Sequence, residues 1–271
     1  DIEDEMQATL HVEALDRTIT INEVKEALHG LKNGKSAGLD GIRPEMLKTL
    51  NETAVVFLTE FFNYIFSHSV YPEDWAKAII VPIFKKGDFD YVDNYRGVSL
   101  LSVVSKCYTA ILNKRLYTWL ETNGKISETQ AGFRKAHSTV DHIFTLNAVV
   151  QKCLSKNGGK CYVAFKKKKK AFDSVQHEKM IEALHTARVS SKFIGALKAM
   201  YSSMFSCVRN NSELTNFFGC PVGVRQGCVL SPTLFSVFIN EIAVCMETTG
   251  KHGIQLLPGL IELYILLFAD D

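Results

Sequence analysis

Two carboxylates stand side by side at Asp270 and Asp271, directly after the apolar run Leu260 to Ala269. Both cannot be buried in a continuing strand, so they belong in a turn at its end. Paired carboxylates in such a turn suit a hard divalent cation, above all Mg²⁺, which takes one or two carboxylates together with substrate phosphates. An ordinary acidic turn has the same signature, so Phe268-Ala-Asp-Asp271 carries this chemistry only in company. The second conspicuous feature is a run of five lysines, Lys166 to Lys170. Such a run is either a solvated face or an attraction for phosphate. Gly30 with Gly34-Lys35-Ser36 looks like a phosphate-cradling loop, but the spacing is one residue short. A helix also precedes it where a strand is required.

The elements that must position these residues are legible in the hydrophobic pattern. Thr20-Ile-Asn-Glu23 is a capping box, and Val24, Ala27, Leu28 and Leu31 fall on one face of the helix it starts, which Gly34 should end. A second helix is expected from about Glu52 to Ser67, with Val55, Leu58, Phe62, Ile65 and Phe66 as its core stripe. Ala78 to Phe84 reads as a strand, Lys85 to Asp88 as its turn, Asn94 to Leu101 as extended, and Val103 to Leu120 as helix. Another helix should start at Ser138, with Ile143, Leu146 and Val150 on one side. Cys161 to Phe165 is a buried-strand signal. Helices are expected at His177 to Arg188 and Ser191 to Phe205, then a hairpin turning at Asn210-Asn211, a helix from Ser231-Pro232 to Met246, and a strand from Leu260 to Ala269. From Tyr162 onward this order implies an α+β layer, helices on one face of an antiparallel sheet.

With 46% apolar residues the chain can build a real core, whereas 31 basic against 29 acidic residues give a net charge of only +2. Bulk charge therefore does not announce a nucleic-acid binder, and any such reading depends on where the charges sit. Seven scattered cysteines without a C-x-x-C pair argue against a disulfide frame or a zinc site. No signal peptide opens the chain and no apolar stretch is long enough for a bilayer, so an intracellular protein, cytoplasmic or nuclear and not secreted, is expected. A chain that starts at Asp1 and stops at Asp271 is also expected to be a fragment of a longer reading frame.

Five further blocks, six in order with it, give Phe268-Ala-Asp-Asp271 its company. Asn94-Tyr95-Arg96-Gly97-Val98-Ser99-Leu100-Leu101 resembles N-Y-R-P-I-S-L-L, with Gly97 where proline is usual. Gln130-Ala-Gly-Phe-Arg134 with Ser138-Thr139 is similar to Q-x-G-F-R-x-x-x-S-T, and Ala171-Phe172-Asp173-Ser174-Val175 to A-F-D-S-V. Gln226-Gly227 with Leu230-Ser231-Pro232 and Leu234-Phe235 matches Q-G…L-S-P-x-L-F, and Lys35 to Pro44 resembles S-x-G-x-D-G-I-x-P. Over residues 18–271 the chain thus resembles the reverse transcriptases of non-LTR retrotransposons. The resemblance implies a right-hand polymerase: an N-terminal extension over 1–75, fingers over 76–160, and a palm over 161–271 cut at the F-A-D-D motif, with the thumb absent. It implies templated DNA synthesis from an RNA template and a DNA primer with deoxynucleoside triphosphates. Two Mg²⁺ ions would be held by three carboxylates.

Carried over by position, the resemblance makes Asp270 a metal ligand and Asp271 a ligand or its close support. It makes Phe172 the steric gate under the sugar, Gln226 and Gly227 part of the nucleotide site, and Arg96 with Lys85 or Lys86 the cations that grip the triphosphate. One departure is severe. The family's first palm motif reads F-x-D-x-x-K-A-F-D, and here Phe165 to Asp173 align with it without a gap, which puts Lys167 at the first metal-binding aspartate. An ammonium for a carboxylate changes the local charge by two units beside the expected dications, which argues against catalysis by this chain. Lysines in what should be a buried strand also suggest a decayed copy or an error in the recorded sequence.

Two other readings compete. One is a catalytically dead nucleic-acid-binding module, with Lys85, Lys86, Arg96, Lys106, Lys114, Arg115, Arg134 and Lys135 as its basic surface and Tyr95 and Phe133 interleaved. The other is a polymerase fragment of the group II intron maturase type, ranked lower because the Lys35 to Pro44 block sits comfortably in non-LTR elements.

Overall fold

The capping box at Thr20 forms as expected. The Thr20 hydroxyl accepts from the Glu23 N–H at 3.3 Å and the Glu23 carboxylate accepts from the Thr20 N–H at 3.0 Å. The structure, a computed structural model, describes residues 9–155, 157–168, 170–211, 213–249, 253–257 and 261–269. Its helices are α1 (Glu13–Asp16), α2 (Ile21–His29), α3 (Pro44–Lys48), α4 (Glu52–His68), α5 (Glu73–Ala76), α6 (Val103–Thr122), α7 (Thr139–Leu154), α8 (His177–Thr186), α9 (Ser191–Tyr201) and α10 (Ser231–Thr248). Its strands are β1 (Lys77–Phe84), β2 (Tyr95–Leu100), β3 (Phe205–Asn210), β4 (Glu213–Leu214), β5 (Phe218–Gly219), β6 (Ile254–Leu257) and β7 (Ile261–Leu263). The first capped helix stops at Gly30, before the expected Gly34, because a glycine at the C-cap already offers no side chain to continue the turn.

The stripe expected on α4 is the one that packs. Val55, Leu58, Phe62, Ile65 and Phe66 are all buried, in one core with Tyr108, Leu112 and Leu116 of α6 and Phe193 of α9. Trp75 closes this core edge-on to Phe61 and Phe62.

The main sheet runs β2-β1-β3-β4, with β5 also on β3. β1 pairs antiparallel with β2, from Ile79 opposite Leu100 to Phe84 opposite Tyr95, and parallel with β3, from Lys77 opposite Phe205 to Ile80 opposite Val208. The sheet is therefore mixed, which corrects the antiparallel expectation. The long helical crossover between β1 and β3 lets β3 enter in the same direction. The hairpin at Asn210-Asn211 forms, with Arg209 opposite Leu214 and Asn211 at φ 54°.

Three other expectations are corrected. Cys161 to Phe165 is irregular chain rather than buried strand, with Tyr162 88% and Phe165 86% exposed. The lysines that follow would have to leave water if the strand continued into the core, and that cost keeps the segment at the surface. On α7 the buried residue is Val149, while Val140, Ile143 and Phe144 face solvent. That helix is held at its start by the Asp141 carboxylate, which accepts from the Ser138 N–H and hydroxyl. The strand expected from Leu260 to Ala269 reduces to β7 and a single bridge at Leu267, and Leu260 lies outside the described residues.

Arg115 of α6 is also not the surface cation it was expected to be. Its buried guanidinium donates to both Glu23 carboxylate oxygens at 2.8 and 2.9 Å, and to the carbonyls of Leu15 at 3.2 Å, Arg17 at 2.6 Å and Thr18 at 2.9 Å. All the donors a guanidinium has are thereby used. Burial alone would raise the Glu23 carboxyl, but the Arg115 guanidinium and the Thr20 N–H outweigh it and hold it at about 2, against 4.5 ordinarily. Arg115→Ala strands that carboxylate and is expected to cost about 3–5 kcal/mol, read as a lower denaturant midpoint at unchanged slope. Because the folded value lies below the unfolded one, the contribution is complete above about pH 4.5 and is lost as pH falls through about 2. In Arg115→Ala this acid loss should shrink or reverse.

Candidate functional site

Segments far apart in the chain line one cleft of about 900 Å³. The arm formed by β1 and β2 contributes Lys85, Asp93, Tyr95 and Arg96. The stretch that precedes α8 contributes Lys167, Lys170, Phe172 and Asp173, and the approach to α10 contributes Arg225, Gln226 and Gly227. Phe133 joins them from the Gln130 to Arg134 block. The arm is stiffened at its tip: Phe84 stacks on Phe89 at 4.0 Å, the Lys85 N–H donates to the Asn94 carbonyl, and the Tyr95 hydroxyl donates to the Phe89 carbonyl. Lys170 reaches Asp93 on that arm at 3.0 Å.

Phe172 lies in a 3-10 turn, Phe172–Ser174, stacked on Phe235 of α10 at 4.5 Å and met edge-on by Phe133 at 5.8 Å. Its carbonyl accepts from the Val224 N–H at 2.9 Å, which ties the turn to the segment that leads to Gln226. The Gln226 carboxamide donates to the Asp173 carboxylate at 2.6 Å. Gly227 has φ 118°, and a Cβ there would lie 2.8 Å from the Ser99 carbonyl oxygen of β2, so only glycine fits without strain. Arg225 spends its guanidinium on the carbonyls of Trp75 at 2.6 Å and Ala76 at 2.8 Å, under the Tyr71 ring. It ties the cleft to the entry of β1.

Of the residues singled out from the sequence, Lys85, Arg96, Lys167, Phe172, Gln226 and Gly227 meet in the cleft, and Lys86 is not among those that line it. Asp270 and Asp271 lie outside the described residues. Their approach is described. The Leu267 N–H donates to the Thr129 carbonyl and the Leu267 carbonyl accepts from the Ala131 N–H, both at 2.9 Å. At Gly132 an added Cβ would fall 2.2 Å from the Ala269 nitrogen, so the absence of a side chain lets the chain pass on its way to the acidic pair. Asp93, Lys170, Asp173 and Arg225 were not given roles from the sequence. Their signal was adjacency to motif residues, which does not separate lining from scaffold.

The basic surface also shrinks. Arg134 joins Arg115 in serving the fold: its guanidinium donates to both Glu121 oxygens at 2.9 and 2.8 Å and holds that carboxyl below the ordinary carboxylate range. Lys114 is paired with Glu26. Among the described residues, five cationic side chains (Lys85, Arg96, Lys167, Lys170, Arg225) line the cleft together with two carboxylates, Asp93 and Asp173. One of those is ion-paired and the other accepts from Gln226. Among the described residues this donor set does not fit a divalent cation, which requires oxygen ligands where Lys167 supplies an ammonium.

The cleft is lined by basic and aromatic side chains, beside a glycine that admits close backbone approach. The family model described as "Reverse transcriptase (RNA-dependent DNA polymerase)" matches residues 83–271, and the chain belongs to that family. It is 29% identical over 244 residues, 88% of this chain and 26% of the relative, to "Probable RNA-directed DNA polymerase from transposon BS" of Drosophila melanogaster. It is 28% identical over 256 residues, 93% of this chain and 27% of the relative, to "RNA-directed DNA polymerase from mobile element jockey" of Drosophila funebris. It is 26% identical over 261 residues, 96% of this chain and 24% of the relative, to "Retrovirus-related Pol polyprotein from type-1 retrotransposable element R2" of Nasonia vitripennis. The chain spans about a quarter of the length of these curated relatives. Among the described residues no helix is long and apolar enough to cross a membrane.

Two glycine substitutions test the packing around the cleft. Gly227→Ala is expected to cost about 1–3 kcal/mol, from its backbone conformation and the Ser99 contact. Gly132→Ala should displace Ala269 and break the Leu267 bridge, read as faster amide hydrogen exchange at Leu267 than in the unaltered protein.

Proposed function

We propose that this chain is the nucleotide- and template-binding part of a non-LTR retrotransposon reverse transcriptase, with 1–75 leading into fingers at 76–160 and a palm at 161–271. The observation that carries the reading is the convergence of Tyr95-Arg96, Phe133, Lys167, Lys170 to Asp173, Gln226-Gly227 and Ser231-Pro232 on one cleft. These blocks are distant in sequence, and a fold with no use for them together has no reason to collect them. In the proposed roles Arg96 and Lys85 hold a nucleotide's phosphates, Phe172 lies under its sugar, and Gln226-Gly227 shape the floor beneath the base. RNA template, DNA primer and deoxynucleoside triphosphates are the partners. Polymerase relatives from mobile elements support this parentage over an intron-borne maturase.

In the same reading the chain does not catalyse. With an ammonium at Lys167, the cleft repels the dications on which phosphoryl transfer of this kind depends. Binding is then what survives, and Lys167 is the observation that favours the second reading, a nucleic-acid-binding module without catalysis. In primer extension on an RNA template with Mg²⁺, the chain is expected to give no product above background. Its affinity for the primer–template should fall steeply with salt, by about a thousandfold or more between ~50 and ~200 mM. Robust Mg²⁺-dependent synthesis would rule out the inactive reading, and salt-independent affinity would sink the nucleic-acid reading.

A further inference from the structure

We propose that the groove between α2 and α6 binds a small amphiphilic anion, an apolar body that carries one carboxylate or similar head group. Among the described residues the groove shares no lining residue with the cleft, so the inference stands independently of the reading of the cleft as a nucleotide site.

The groove has a volume of about 490 Å³, inside the range of roughly 300–1,000 Å³ typical of small-ligand pockets. Ala27 of α2 and Ala110 of α6 line its two walls, and these small side chains leave the space between the helices open. Leu31, Ile111 and Val229 add apolar surface, and Val229 is 47% exposed. Taking that surface out of water favours a ligand with an apolar body. A strand of nucleic acid would be drawn to lysines at the rim, but its phosphates would leave the apolar walls uncovered.

Charge decides the head group. Lys32, Lys35, Lys106 and Lys114 line the groove together with the carboxylates of Glu23 and Glu26. Both carboxylates are committed, Glu23 to Arg115 and the Thr20 N–H, and Glu26 to Lys114. The ammonium groups of Lys32, Lys35 and Lys106 make no hydrogen bond or ion pair among the described residues. Lys106 matters most. It is half-buried and stands one turn from Ala110 on the same face of α6. Burial lowers its ammonium from the ordinary lysine value, and the Cys228 and Asp40 side chains only partly offset this. An ammonium so placed is short of a counter-ion, and the head group of a ligand seated between Ala27 and Ala110 supplies one.

The experiment is calorimetric titration of the full 271-residue chain with octanoate and with naphthoate, below their aggregation limits. The matching alcohols, octanol and naphthalenemethanol, are the uncharged controls, and circular dichroism confirms folding. At least one carboxylate is expected to bind, about tenfold tighter than its alcohol, the worth of one charge-assisted contact. Lys106→Met keeps the apolar stem and removes the charge, so it should lose that tenfold for the carboxylate and leave the alcohol unchanged. Ala110→Phe fills the groove and should abolish both. A folded chain that binds neither carboxylate overturns the proposal, as does a carboxylate held no tighter than its alcohol. So does an affinity that Lys106→Met, or a folded Ala110→Phe, leaves unchanged. If Ala110→Phe does not fold, the Lys106→Met comparison decides alone.

Discussion

Arg115 sits where four parts of the chain would otherwise come apart. Its guanidinium reaches from α6 to the Glu23 carboxylate of α2, to the Leu15 carbonyl of α1, and to the Arg17 and Thr18 carbonyls between those two helices. A buried charge of this kind contributes little when compared with a well-packed apolar alternative, but is costly to break once the fold is built around it. The rest depends on it because α6 is the spine of the molecule. α1, α2 and α10 pack against it, and Ser102, its N-cap, follows Leu101 after β2, the strand that carries Arg96.

Arg225 repeats the device next to the cleft. It joins the approach to α10 with the entry to β1, so that Gln226 and Gly227 are fixed relative to the arm that bears Lys85 and Arg96. The two arginines share a constraint: a cation taken out of water needs acceptors for its donors, all five for Arg115 and two backbone carbonyls for Arg225, and those bonds fix the geometry of the segments they reach. Other cations line the same cleft, Lys85 and Arg96 on the arm and Lys167 and Lys170 in the stretch before α8.

Much of the fold was legible in the pattern of apolar residues. The α4 stripe, the Thr20 capping box, the β1 and β2 strands, the turn at Asn211 and the helix from Ser231 all follow from local periodicity and capping chemistry. The failures have a common cause. Tyr162 and Phe165 have strand character, and Ile143 has the spacing of a core residue, yet all three are exposed. A local pattern reports which face a segment would bury, and says nothing of whether a partner arrives to cover it. The parallel pairing of β1 with β3 was hidden for the same reason, since register between residues 128 positions apart, such as Lys77 and Phe205, is a property of the packed elements between them.

The sequence by itself determined the family, through six ordered blocks, and the identity of Lys167 at the position where the resemblance expects a carboxylate. Both are matters of residue type in a fixed register, which folding cannot alter. Tertiary structure decided which basic residues line the cleft and which serve the fold. Arg115 and Arg134 look like phosphate binders in a list of cations, and become struts once Glu23 and Glu121 are beside them. Lys167, Lys170 and Arg96 become neighbours of one cleft although more than 70 residues separate the first from the last. Charge acts through space, over a few ångströms, and only the folded chain sets those distances.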